Sequence, residues 1–497
     1  MQKFFKIINA ILLSNRFFTC IVGLLVIQAL WIALSARYPL AFDENFHFGI
    51  IKLFSHQWEP FFSSTPDNSG AFGALTREPS YLYHYLMSFP YRLIAVFIHS
   101  ETQQIILLRL MNIALFGAGL VAFRRLLQQL AIPKKLIHFS LLMFVLIPAV
   151  PFLAAHINYD NLLFLLIPIT LSLGLSCSQA LRSTSSFPVV KLSLLIILLS
   201  LASLVKYVFL PVAAAIVIYL IVILFQQPHK KKLFHQIATS FRALSLSLKI
   251  ILITGLFVSG GLFIERYGIN LVVYREIVPE CSRLETVEHC QQYGPWARNQ
   301  LLSEGMKTSP TLVDANILSF ASAWVYDLLY RLYFAINYDY STKAPLPIPF
   351  MLARVVTIAG LVSVVAWGIS VLRRYPKLLL PLGATVLYAG SLFYKNYLDY
   401  LAYGERVAIN GRYFIPFLPI IFVLVGLCLN RLINDSFRNY SAQVKSVLAV
   451  LLLLIALQGG GLLTFLVLSD TGWYWNNSTV IAINQAVQNI ISPFIIR

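Results

Sequence analysis

Apolar runs of about 20 residues recur along the 497-residue chain, set apart by short polar interruptions. Each is long enough for one helical crossing of a bilayer. The pattern predicts eleven spans, at 17–36, 105–123, 136–154, 161–180, 192–205, 207–226, 250–264, 351–372, 378–393, 413–430 and 446–468. Two further apolar stretches, 81–98 and 316–336, are broken by Arg, Asp, His or Pro, which suits helices lying in the membrane interface better than spans. The expected fold is an all-α polytopic membrane protein with one transmembrane domain over 1–497. Its long polar segments are 37–100 and 265–350, the second of which has room for a small extracytoplasmic subdomain. No small-residue cleavage site follows the first span, so 17–36 reads as a retained signal-anchor.

Composition agrees with that pattern. Hydrophobic residues make up 58% of the chain and charged residues 12%, about half the charged share of a soluble domain. The net charge of +18 would suit nucleic acid or anionic lipid, and its distribution separates the two. With the N-terminus inside, the inner segments hold twenty bases, among them Arg16, Arg124, Lys134, Lys230 and Arg373, and a single acid, Asp435. The bias is that of positive-inside topology with attraction to inner-leaflet lipid, and nucleic acid is not an expected partner. Eleven spans then place the C-terminus outside.

Nineteen of the 20 acids fall on the outer side, so acid–base chemistry is expected there. The inner loops are short and basic and carry no glycine-rich phosphate loop. Five cysteines divide into three within spans, Cys20, Cys177 and Cys428, and two in the long outer loop. Cys281 and Cys290 form a candidate disulfide, with two free thiols as the alternative.

The first outer segment opens with "AFDENFHFGI", Ala41–Ile50. Asp43, Glu44 and His47 stand at i, i+1 and i+4, sharing one face of a short amphipathic helix, with Phe46, Ile50, Leu53 and Phe54 free to dip into the bilayer. A carboxylate beside low-dielectric surroundings suits a general base. Equally, Asp43 can cap the helix and Glu44 can complement its dipole. "REPSYLYHYL", Arg77–Leu86, closes the segment: Arg77 and Glu78 precede Pro79, and Tyr81 and His84 follow on a helix. Arg77–Glu78 may equally be read as a surface ion pair, and Tyr81 as an interfacial belt residue. "INGRYFIPFLP", Ile409–Pro419, places Arg412 and Tyr413 at the expected start of the tenth span, with Lys395 in the same loop; Arg412 there suits a phosphate or simply snorkels to the interface. Asp43, Glu44, His47 and Asp160 also supply donor types for a divalent metal, though their spacing does not require one, and no cofactor is expected.

Taken together, these motifs resemble the GT-C glycosyltransferases, multi-span enzymes that use polyprenyl-phosphate-linked sugars; the protein O-mannosyltransferases and bacterial lipid A aminoarabinose transferases are similar. The resemblance is carried by "FDENFHFGI", "REPSYLYHYL", "LLRLMNIALFGAGLVAF" from Leu107, "INYDNLLFLLIPITLSLGL" from Ile157, "LVKYVFLPVAA" from Leu204 and "NGRYFIPFLPI" from Asn410. It covers most of 15–230 and 405–430 and leaves 265–350 unmatched. It implies a catalytic base in the first outer loop, on Asp43 with Glu44 as partner, and a bacterial plasma membrane. The family's basic-Pro-Pro motif reads Arg77-Glu78-Pro79-Ser80 here, a departure that weakens a phosphate role for Arg77. The implied reaction moves a sugar from the lipid carrier to a lipid, glycan or protein acceptor on the extracytoplasmic face, with inversion. Two alternatives remain: a transporter or lipid flippase, whose charged sites usually lie at mid-membrane, and a surface-polysaccharide polymerase or ligase using the loop 265–350. The sequon at Asn477 matters only in a eukaryotic secretory compartment.

Overall fold

The computed structural model describes residues 10–182, 187–227, 230–308, 313–333, 337–338, 341–342, 346–437 and 439–495. The first half of the chain forms α1 (Asn15–Ser35), α2 (Glu44–Phe54), α3 (Leu82–Phe97), α4 (Glu101–Gln129), α5 (Lys134–Val145), α6 (Ala149–Ala154), α7 (Tyr159–Arg182), α8 (Val189–Val205), α9 (Leu210–Phe225) and α10 (Lys230–Arg242). The second half forms α11 (Leu246–Phe263), α12 (Val287–Gln291), α13 (Gly294–Thr308), α14 (Ile317–Tyr333), α15 (Pro347–Arg374), α16 (Leu379–Tyr403), α17 (Leu418–Ser436), α18 (Ser441–Gly459), α19 (Leu462–Leu468) and α20 (Ser478–Ile491). Strand pairing among the described residues is limited to the ladder Asn337–Tyr338 with Ser341–Thr342 and one bridge, Ala36 with Tyr474.

Eight helical segments are long and apolar enough to cross a membrane, by length and composition. They begin at Asn15, Glu101, Tyr159, Tyr207, Leu246, Pro347, Pro376 and Leu418. The other three expected spans differ from the sequence reading. The one at 192–205 is the shorter helix α8, of 17 residues. The one at 136–154 is split into α5 and α6 around Pro148, which cannot continue the hydrogen-bond ladder. The one at 446–468 is split into α18 and α19 at Gly460–Gly461.

The two breaks meet. Gly461 has φ +58°, and a Cβ there would collide with Gln28. Its N–H donates to the Leu146 carbonyl at 2.6 Å. Gln28, buried on α1, donates to the Val145 carbonyl at 3.3 Å and accepts from Leu462 N–H at 2.9 Å. One amide side chain thus serves orphan groups of both broken helices, which have no water to turn to at that depth.

Aromatic stacking adds to these polar ties. Phe164 of α7 stacks on Phe116 of α4 at 4.0 Å and lies 4.9 Å from Phe123. The helix ends sort the charges. Arg124, Lys134, Arg182, Arg373 and Lys377 fall at one end of the bundle, where Lys377 reaches the Gln129 carbonyl at 3.4 Å. The segments 37–100 and 265–308, α14 and the loop 404–417 gather at the other end, termed here the loop face.

Candidate functional site

The turn entering α2 is unusual. Phe42 and Asp43 both have positive φ, 57° and 58°, a left-handed conformation that costs a residue with a Cβ about 1 kcal/mol or more. Asp43 is the N-cap residue but makes no capping hydrogen bond, so the capping role weighed from the sequence does not occur. Its carboxylate turns away from the helix and accepts from Arg412 Nη2 at 2.5 Å. The Asp43 side chain stays 64% accessible, whereas that of Arg412 is 7% accessible.

The expectation that Asp43, Glu44 and His47 share one polar face does not hold either. The left-handed turn takes Asp43 off the helix that carries Glu44 and His47, all three reach different partners, and Ile50 and Phe54 are buried in the protein rather than dipped into lipid. Glu44 is fully buried and gripped by Arg109, Nε to Oε1 at 2.8 Å and Nη2 to Oε2 at 2.6 Å. It also accepts from Ile157 N–H at 3.1 Å. Arg109 spends its remaining donors on the carbonyls of Ala33, Ala36 and Arg37. Burial pushes the Glu44 carboxyl up, but Arg109 and the Ile157 amide outweigh it and hold it below its ordinary range. Both oxygens are therefore committed to clamping α1, α2, α4 and the loop before α7.

His47 is also buried. Its Nε2 accepts from Asn158 Nδ2 at 3.0 Å, which leaves Nδ1–H to donate to His84 Nε2 at 2.9 Å. The same Asn158 amide donates to the Phe42 carbonyl at 2.8 Å, and its Oδ1 accepts from Asp160 N–H at 2.8 Å. Asn158 thus holds the strained turn that presents Asp43. Burial depresses both imidazoles. His84 is held down to about 3, with the Ser80 backbone offsetting part of the effect. His47 falls well below 6.5, with His84, Arg412 and Lys206 adding to burial.

Between those depressed values and the ordinary histidine range, the unfolded chain binds protons that the folded chain does not, so stability falls as pH drops through that window. Each histidine contributes up to about 1.4 kcal/mol per pH unit there. Thermal unfolding between pH 7 and pH 4 is expected to show a falling Tm, and His84→Gln to flatten the slope. An equal slope in the variant would contradict this.

Beside Asp43–Arg412 lies a second pair. Lys206, buried at the junction of α8 and α9, donates to Asp160 Oδ1 at 2.7 Å. Its ammonium sits 4.4 Å from the Tyr159 ring centre and 4.7 Å from that of Tyr413, and the Arg412 guanidinium lies 5.3 Å from the same Tyr413 ring. Two cations thus share one tyrosine. Asp160 Oδ2 and Arg412 Nε are buried with no hydrogen-bond partner among the described residues. Arg412 does not stand at a helix N-terminus as expected. It lies in the single turn Gly411–Phe414, its N–H capped by Asn410 Oδ1 at 3.0 Å, and α17 starts only at Leu418. The turn sits flush under α14, because a Cβ on Gly411 would strike the Leu328 carbonyl.

A cavity of about 950 Å³ opens at Tyr207, the residue after Lys206, with none of Asp43, Arg412, Lys206 and Asp160 among its lining residues. One wall is apolar, from Val208, Leu210, Pro211 and Ala214 of α9 and its entrance and Leu392 of α16. The loop 277–303, including α13, forms the roof, and a Cys281–Cys290 disulfide ties that loop together. Tyr388 links cavity and site: it lines the cavity, and its hydroxyl donates to the Tyr413 carbonyl at 2.9 Å.

The remaining sequence candidates are dispersed. Arg77 and Glu78 line the cavity but are not paired with each other. Arg77 donates to Glu265 Oε1 at 2.8 Å and to Asn270 Oδ1 at 2.9 Å. Burial raises the Glu78 carboxyl despite its bond from Ser80 N–H. Lys395, at the cavity rim, is held by Asp399 at 2.5 Å. Tyr81 packs on Phe61, its ring 5.3 Å from the Arg266 guanidinium. Among the described residues no three His, Cys, Asp or Glu side chains converge as metal ligands; Glu44 and Asp160 are each taken by a cation.

Sequence reasoning missed Arg109, Lys206 and Asn158 as parts of this centre. Their signal was legible: a lone base within each of two apolar runs, and the polar cluster Asn158-Tyr159-Asp160-Asn161 opening a third. No protein-family model matches the chain, and comparison with curated proteins finds no relative.

Proposed function

We propose that this protein is a membrane glycosyltransferase of GT-C type, which moves a sugar from a polyprenyl-phosphate carrier to an acceptor on the extracytoplasmic face. In this reading the chain crosses a bacterial plasma membrane eleven times, counting α8 and the two broken segments, with the basic end in the cytoplasm. The observation that carries it is an accessible carboxylate, Asp43, held by a buried arginine and joined through Tyr413 and Tyr388 to a large cavity with one apolar and one polar wall. The apolar wall suits an isoprenoid chain, and the polar end suits a phosphosugar.

The donor phosphate competes with Asp43 for Arg412, whose planar donors fit phosphate oxygens. As Arg412 turns to the phosphate, Asp43 is released as base. The acceptor oxygen then attacks the anomeric carbon and gives its proton to Asp43. The carbon–oxygen bond to phosphate breaks, and its electron pair leaves with the polyprenyl phosphate. Arg412 and Lys206, both buried, stabilise that growing charge. Arg77 and Glu44 take no part, since their polar atoms are committed elsewhere.

One observation favours a transporter instead: two broken helices meet at Gln28, and such breaks mark substrate sites in transporters. Here, however, the freed backbone groups at the break bond to each other and to Gln28. Purified protein incubated with a radiolabelled polyprenyl-phosphate sugar and a cell-envelope extract is expected to label an acceptor. Absence of transfer with every donor tried, together with solute or lipid flux in proteoliposomes, would overturn the proposal.

A further inference from the structure

The cavity roof carries a pattern that the transfer chemistry leaves unused. Trp296, Asn299, Gln300 and Ser303 of α13 all line the cavity, at i, i+3, i+4 and i+7, which is one face of the helix. Arg298 and Leu301 face away from the cavity, Glu304 flanks the lining row beside Gln300, and Lys307 continues that row one turn beyond Ser303; all four are exposed. The side chains that this helix presents to the cavity are thus uncharged hydrogen-bonding groups and one indole.

The inward groups are partly pre-set. Arg298 occupies the Asn299 carbonyl oxygen at 2.8 Å, leaving the amide N–H groups to donate. Glu304 occupies the Gln300 amide nitrogen at 3.0 Å, leaving its carbonyl oxygen to accept. The Trp296 indole is oriented by Glu280 at 3.3 Å. A donor, an acceptor and the Ser303 hydroxyl thus project along about two helical turns beside a large aromatic face.

Charge narrows the ligand further. The two cations on the cavity wall, Arg77 and Lys395, are bound to Glu265 and Asp399, which do not line it. Of the carboxylates that do line it, Glu280 has no ion pair among the described residues, and Glu78 feels the Arg266 guanidinium only from outside the cavity lining. An anionic ligand at the roof would therefore meet like charge, whereas a neutral polyhydroxylated ring meets matched donors and acceptors.

We infer that the inward face of α13 recognises the sugar of the donor, and that it selects a neutral hexose over a hexuronic acid. This rests on the transferase reading above. Full-length protein in nanodiscs is titrated with three probes: polyprenyl phosphate, polyprenyl-phosphate hexose and polyprenyl-phosphate hexuronate. The hexose is expected to strengthen binding about tenfold over the bare carrier, and the hexuronate to give no gain. The double variant Asn299→Ala/Gln300→Ala is expected to lose the hexose gain, keep affinity for the bare carrier and keep its Tm. Should that variant unfold, Ser303→Ala and the hexuronate arm on unaltered protein carry the test. Equal binding of all three probes, or a gain that survives the substitutions, overturns the inference and leaves the transferase reading standing. No binding of any carrier overturns both.

Discussion

Under the transferase proposal, Asp43→Asn is expected to lower transfer by about 10²–10⁴-fold while leaving the protein folded. Asparagine fills the same space and can still accept from Arg412, so the buried guanidinium keeps a partner. What is lost is the capacity to take a proton. The pH profile gives a second readout. Burial pushes the Asp43 carboxyl up, but the charge and hydrogen bond of Arg412, with Lys206 behind it, hold it below its ordinary value in the free protein. The acid limb of kcat/KM is therefore expected below about pH 4. In the substrate complex Arg412 is shared with phosphate, so the acid limb of kcat is expected at higher pH. Undiminished transfer by the variant would remove Asp43 from the chemistry, and coincident limbs would remove the exchange of Arg412 between partners.

Glu44 is one residue away, yet its substitution acts on stability. Glu44→Ala leaves Arg109 charged and buried with no counter-ion, a defect that costs about 3–5 kcal/mol. Thermal or denaturant unfolding of the purified protein is expected to show that loss, with activity falling only in proportion to the folded fraction. Pairing Glu44→Leu with Arg109→Met removes both charges and is expected to recover part of the stability. Recovery is incomplete because the carbonyls of Ala33, Ala36 and Arg37 lose the donors that Arg109 supplied. A stable but inactive Glu44→Ala would instead make Glu44 a partner in the chemistry.

These two neighbours show where the sequence was informative and where it was not. The helical membrane character follows from hydrophobicity alone, since apolar runs of that length have one stable outcome in lipid. The breaks at Pro148 and Gly460–Gly461 lie inside apolar runs, where hydropathy is insensitive to a lost backbone bond. Asp43, Arg412 and Tyr413 were visible only as separate candidates, and tertiary packing sets Asp43 against Arg412 with the Tyr413 ring beside it. The direction of Asp43 was hidden, because helical spacing assumes regular dihedrals and the positive φ of Phe42 and Asp43 departs from them. Arg109 and Lys206 were visible as bases near apolar runs, but their partners are set by tertiary packing that local spacing does not encode.

Asp43 and Arg412 also stand 369 residues apart in the chain. At the usual 5–20 residues per second, roughly 20–70 s of synthesis separate them. Throughout that interval the inserted first loop carries a carboxylate without its arginine. The Asp43–Arg412 pair therefore comes into being only near the end of translation, so a chain interrupted before Arg412 has the first loop in place but no paired centre.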